Sequence, residues 1–134
     1  MVLGWAVNRP SAGSADVRSI SDRTIVDWQL EGKIIRVEVV NTPASIQLGL
    51  SGRKSLTADG MLFVFDRPTQ PVFWMKEMLF PIDIIWISNN RIVGSEKEVQ
   101  PPAAGMADQE LKRYPAPQLV DMVLEVPAGS ASWD

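Results

Sequence analysis

Apolar and polar positions alternate with a period of two over much of the chain. KIIRVEVV, residues 33–40, places Ile35, Val37 and Val39 on one side and Arg36 and Glu38 on the other, the pattern of a half-buried strand. TIVDWQL, 24–30, reads as a strand before it, and the Glu31-Gly32 pair between them reads as a tight turn, so the two predict a hairpin. DGMLFVF, 59–65, is short and apolar and predicts a buried strand. VFWM (72–75), the β-branched IDIIWI (82–87), the more exposed RIVGSEKEVQ (91–100) and LVDMVLEV (119–126) follow, separated by the turn-forming DRPTQP (66–71), KEMLFP (76–81) and Ser88-Asn89-Asn90. Helical signals are sparse. Asn41 or Thr42 can cap a helix with Pro43 at its first position, and Gly49 and Gly52 confine it to about two turns. DQELKRY holds at most one more, inside a connection (101–118) long enough to expect a functional role. Many short strands with few helices predict a mainly β fold, an antiparallel sandwich or small barrel with one or two short helices.

The chain has 134 residues, enough for one domain with a real core. Residues 8–23 are rich in Ser, Asp, Arg, Gly and Pro, which assigns 1–23 to an N-terminal arm or linker and 24–134 to a single β domain. The apolar patch before Asn8 is too short for the centre of a signal peptide, so no export signal is visible. The run FWMKEMLFPIDIIWI, 73–87, is too short and too charged for a membrane helix, which needs ~20 mostly apolar residues.

Charge and composition narrow the chemistry. The net charge is −3 and no dense Lys/Arg block occurs, which argues against nucleic acid as a partner. The chain has no cysteine, which excludes disulfides, thiolate metal sites and a cysteine nucleophile. It has no histidine either, which excludes a Ser-His-Asp triad and histidine-ligated metals. Acid–base chemistry would have to come from Asp, Glu, Lys, Tyr or a terminus, and a metal site would have to be built from oxygen alone. Neither a metal nor a cofactor is implied.

Several side chains stand out, each with two readings. Lys76, Glu77 and Asp83 interrupt an apolar run, and a turn at KEMLFP would bring Lys76 to Asp83. That pair is either a half-buried salt bridge fixing the turn or a polar cluster at the mouth of an apolar pocket. Arg53 follows a glycine-rich helix end and is either a cap or surface guanidinium, or a fork for a carboxylate or phosphate. Trp74 is a stacking platform or a core residue. Tyr114, the one tyrosine, sits between Arg113 and Pro115 in the long connection, as a binding contact or as packing. Glu38, Asp121 and Glu125 read as solvated strand faces, and Gly60 as a point of close backbone approach. A two-carboxylate glycosidase needs a set separation that spacing alone does not define.

The succession VEVVNTPASIQLGLSGRKSL, GMLFVF, FWMK, PIDIIWI, YPAP and VLEVPAG resembles the family called Domain of Unknown Function 192, over residues 35–131. The resemblance implies a mainly β, jelly-roll-like or sandwich domain, often exported or envelope-associated in bacteria and archaea, with no activity assigned. Three departures stand out. Glu77 and Met78 replace the family's Asn and small polar residue after FWMK. Gly49-Leu50-Ser51-Gly52-Arg53 keeps only the outline of its Gly-Leu-Met-aromatic-Arg pattern. The chain ends at GSASWD where the family usually continues into a last strand, so the expectation is a truncated end or a replacement by the N-terminal arm.

The first functional expectation is a binding or accessory module. It would present Arg53, Trp74, Lys76, Glu77, Asp83 and Tyr114 around a polar-rimmed cleft for an anionic small molecule, a glycan or a peptide. The alternative is a hydrolase acting on a carbohydrate or envelope polymer, with Asp83 or Glu77 as acid–base group and Lys76 in electrostatic support. A third reading is a module whose open sheet edge recruits a strand. An enzyme should hold a carboxylate or lysine of shifted pKa inside a concave pocket; a binder should show the pocket without it; an edge recruiter should show neither. The missing histidine and nucleophile motifs weigh against the enzyme.

Overall fold

A computed structural model describes residues 16–130; residues 1–15 of the expected arm and 131–134 lie outside the described residues. Strands β1 (Ile25–Leu30) and β2 (Lys33–Val40) form the predicted hairpin, with Ile25 opposite Glu38 and Leu30 opposite Lys33. Glu31 and Gly32 both take positive φ, 47° and 85°, the backbone that a two-residue turn needs to match the strand twist.

Helix α1 (Pro43–Leu48) starts as its sequence indicates. Thr42 Oγ1 accepts the Ser45 N–H at 3.1 Å, and Ser45 Oγ accepts the Thr42 N–H at 3.1 Å, so two otherwise orphaned donors are satisfied. Gly49 ends it at φ 52°, and a Cβ there would lie 3.3 Å from the Phe63 ring. The remaining strands are β3 (Gly60–Thr69), β4 (Val72–Phe73), β5 (Ile82–Ser88), β6 (Arg91–Val99), β7 (Tyr114–Pro115) and β8 (Val120–Pro127). DQELKRY supplies one 3-10 turn, Asp108–Glu110. Among the described residues no helix is long and apolar enough to cross a membrane.

The fold is mainly β. Six strands form one mixed sheet in the order β1-β2-β3-β8-β5-β6, and β4 pairs with β7 in a second, two-stranded sheet. The expected all-antiparallel arrangement breaks at one place: β2 and β3 run parallel, from Val37 beside Gly60 to Val40 beside Phe63. The segment 41–59, containing α1, returns the chain to the same end of the sheet, and a crossover of that length permits parallel pairing. The expected turn at 66–71 is largely strand, since β3 continues to Thr69 with a register break against β8 between Val64 and Thr69. The turn between β1 and β2 reaches β6, where Glu31 Oε2 accepts the Ile92 N–H at 2.7 Å. No ladder joins β1 to β6, so the sheet is not a closed barrel.

Both faces of the central strands are buried. Trp28, Leu30, Val37, Leu62, Ile85 and Leu124 pack on one face. Met61, Phe63, Ile84, Trp86 and Val123 pack on the other, beneath Leu50, Met75 and Met78. Gly60 permits the tight approach expected of it: a Cβ there would lie 2.9 Å from Val126 and 3.0 Å from the Glu125 carbonyl oxygen. Residues 16–23, on the arm side of the expected boundary, are fastened to this sheet. Val17 is buried, Arg18 Nη2 reaches Asp121 Oδ2 at 2.7 Å, and Asp22 Oδ1 accepts from Ser45 Oγ at 2.7 Å and the Asn41 N–H at 2.8 Å. These bonds hold the Asp22 carboxyl below its ordinary pKa, the Ser45 hydroxyl contributing most.

Candidate functional site

The six singled-out side chains do not converge. Asp83 is fully buried and accepts two backbone N–H groups, from Glu98 at 2.8 Å and Gly129 at 3.1 Å. Its carboxylate ties β5 to β6 and to the turn after β8. Lys76 pairs instead with Asp108, Nζ to Oδ2 at 2.9 Å, and that hydrogen bond raises its pKa. The expected Lys76–Asp83 contact is therefore absent: β5 carries Asp83 into the sheet, while the Lys76 side chain runs outward to the long connection. Glu77 is exposed at φ 58°, and its carbonyl accepts the Gly52 N–H at 2.8 Å. Arg53 is a fork, as one reading held, but its carboxylate is internal. Nη1 donates to Glu38 Oε1 at 2.6 Å and Nη2 to Oε2 at 3.0 Å.

Glu38, Asp121 and Glu125 are buried, contrary to the expectation of solvated faces. Their strands are covered on the second face as well, where an antiparallel sheet of ordinary type would meet water. Glu38 is compensated by Arg53, whose hydrogen bonds hold its carboxyl below the usual range. Asp121 has Arg18. Glu125 has no such partner: among the described residues, no hydrogen-bond donor or cation meets its carboxyl. Burial alone pushes it up to about 8, so it is a neutral acid at pH 7.

Glu125 lies opposite Met61 of β3 and Ile84 of β5, and it contributes to the lining of a pocket of about 180 Å³ between α1 and the two-stranded sheet. The walls are Leu50, Phe63, Phe65, Phe73 and Met78. Phe63 and Phe73 meet edge to face with centroids 5.0 Å apart, an arrangement that fixes both rings. Leu48, Val72 and Trp74 line the same pocket and are exposed, which places them at its mouth. Trp74 carries two cations, with the Arg113 guanidinium 4.3 Å and the Lys76 ammonium 5.4 Å from the ring centroid. Tyr114 pairs with Phe73 across the small sheet, but it lines a different hollow, of about 210 Å³, with Met75, Pro102 and Leu111. Of the six candidates, Trp74 alone lines the pocket that contains Glu125.

Sequence reasoning missed Glu125 and Arg113. The signal for Glu125 was available: LVDMVLEV is the most apolar of the alternating strands around its carboxylates, as suits a strand with neighbours on both edges and cover on both faces. Arg113 carries no local signal, because its position over Trp74 depends on the β4–β7 pairing.

Two solved structures share this architecture. One is a protein of unknown function from Novosphingobium aromaticivorans DSM 12444, 26% identical, with a TM-score of 0.68 over 92% of this chain and 89% of that one. The other, from Sinorhizobium meliloti 1021, is described as a candidate transcription regulator; it is 25% identical, with a TM-score of 0.63 over 78% of this chain and 79% of that one. No curated protein matches the chain. The family model for DUF192, described as an uncharacterized ACR, matches residues 25–133. That span begins with β1 and takes in every strand described above, so the chain belongs to the DUF192 family.

Proposed function

We propose that this domain is a binding module whose pocket between α1 and the β4–β7 sheet receives a small, mostly apolar ligand or the apolar end of a larger one. The observation that carries this reading is the Glu125 carboxyl, buried among aromatic walls without a partner. A carboxyl held almost wholly out of water against apolar walls costs stability through desolvation, and such a cost at one spot is a mark of function. As a neutral acid it would donate a hydrogen bond to a carbonyl, ether or hydroxyl oxygen of the ligand. The volume, about 180 Å³, is near the ~150 Å³ cavity known to hold benzene. A panel of matched ketones, alcohols and hydrocarbons tests this by thermal shift. Oxygen-bearing compounds should raise the melting temperature of the parent more than their hydrocarbons do, and Glu125→Leu should abolish the difference. A panel without any stabilising compound overturns the reading.

A second reading is favoured by the elevated pKa of Glu125: a carboxyl of this kind inside a pocket meets the criterion set for an enzyme, as a general acid. Its weakness is that no second carboxylate lines the pocket among the described residues, so a two-carboxylate hydrolysis lacks its base. Glu125→Gln separates the readings, since it should retain binding in both and abolish turnover only in the second.

A further inference from the structure

We infer that the ligand is an anionic amphiphile, with its apolar body in the pocket and its carboxylate, phosphate or sulfate group held at the mouth by Arg113. This deepens the binding reading above and rests on it. The anion-binding role expected of Arg53 is not open to that residue, because both of its terminal nitrogens are engaged by Glu38. Lys76 is committed to Asp108 at 2.9 Å. Arg113 differs from both. Its guanidinium is held 4.3 Å from the Trp74 centroid, and among the described residues no carboxylate pairs with it. Stacking on an aromatic face orients a guanidinium while leaving its in-plane N–H donors unspent, and those donors match the oxygens of a carboxylate or phosphate.

The placement supplies the second half of the argument. Trp74 belongs both to the pocket wall and to the stack with Arg113. A ligand chain leaving the pocket past Leu48 and Val72, which are 50% and 57% exposed, therefore emerges beside an uncommitted cation. The buried carboxyl at the other end does not repel such a ligand, because it is neutral at pH 7 and lies on the inner side of the aromatic walls.

Calorimetric titration of the parent protein with octanoate, octanol and octylammonium tests the assignment. Octanoate should bind about tenfold more tightly than octanol, the effect of one charge-assisted contact, and octylammonium more weakly than either. Arg113→Gln should remove the preference for octanoate while leaving octanol binding unchanged, and Lys76→Gln should leave the preference in place. Equal binding of octanoate and octanol by the parent overturns the anion assignment but leaves the pocket reading intact. Tightest binding of octylammonium overturns it as well, by making Glu125 the charge that selects. Failure of all three to bind overturns the assignment, and the ketone, alcohol and hydrocarbon panel above then decides the pocket reading by itself. Because Arg113 is exposed, the variant should fold as the parent does; Arg113→Lys, which keeps the charge and loses the fork, should show an intermediate preference.

Discussion

Arg53 clasps Glu38 with both terminal nitrogens, at 2.6 Å and 3.0 Å, where the carboxylate is almost wholly buried. Arg23 adds a longer contact of 3.4 Å to the same carboxylate, so the segment before β1, strand β2 and the turn after α1 are joined through one side chain. Removing one member of such a pair strands the other. Arg53→Met is expected to lower urea unfolding stability by about 3 kcal/mol, whereas replacing both members by apolar residues should cost less.

The same pair sets an acid response. The native pKa of Glu38 lies below its unfolded value, so its contribution is fully present above the unfolded carboxylate range and is lost as pH falls through the depressed native value. Unfolding curves recorded from neutral pH down into the acid range should show a smaller loss of stability in Glu38→Gln than in the parent. An equal acid loss in both would show that the pair does not contribute it.

Glu125 works with the opposite sign. Its native value of about 8 lies above the unfolded value near 4.5, so the native state retains a proton that the unfolded state releases. Stability therefore falls as pH rises between those two values, by about 3 kcal/mol at pH 7. Glu125→Gln should match the parent below pH 4.5 and exceed it at neutral pH. Urea unfolding at three pH values measures this, and a carbon-13 titration of the carboxyl gives the native pKa directly.

Asp83 and Lys76 should behave as strangers. Asp83→Asn replaces an acceptor-only group with one that presents N–H donors toward two backbone N–H groups, and is expected to cost about 2 kcal/mol. Lys76→Met should be indistinguishable from the parent, because its pair with Asp108 is exposed. The double variant should be additive; a coupling energy between the two sites would contradict the geometry.

Gly60→Ala tests the tight approach of β3 to β8. The added methyl would lie 2.9 Å from Val126 and 3.0 Å from backbone, so β3 and β8 would have to separate locally, at a cost of about 2–3 kcal/mol by urea unfolding. A stable variant would place the β3 start elsewhere.

The legible part of the fold was the local part. The hairpin at Glu31-Gly32, the Thr42-Pro43 helix start and the β-branched run at 82–87 follow from neighbours in the chain. Parallel pairing of β2 with β3 depends on where a crossover lands, which alternation does not encode. The site was read less well for a related reason. A carboxylate on an alternating strand looks solvated until the second layer is known, so alternation alone assigns Glu38 and Glu125 to the surface. For Arg53 the residues leave open a cap or surface guanidinium and a fork for a ligand's anion; it is a fork on an internal carboxylate, fifteen residues back on a strand that spacing does not bring to it.

Among the described residues strand β8 comes last in sequence and yet lies at the middle of the six-stranded sheet, between β3 and β5. The hairpin β1–β2 and the pair β5–β6 can zip from nearby contacts, but β8 must join segments as remote as Met61 and Glu125. Contacts of that span slow folding. Until residues 120–127 leave the ribosome, β3 and β5 each expose a bare, apolar hydrogen-bonding edge, and a nascent chain halted before that point is a substrate for chaperones or for aggregation.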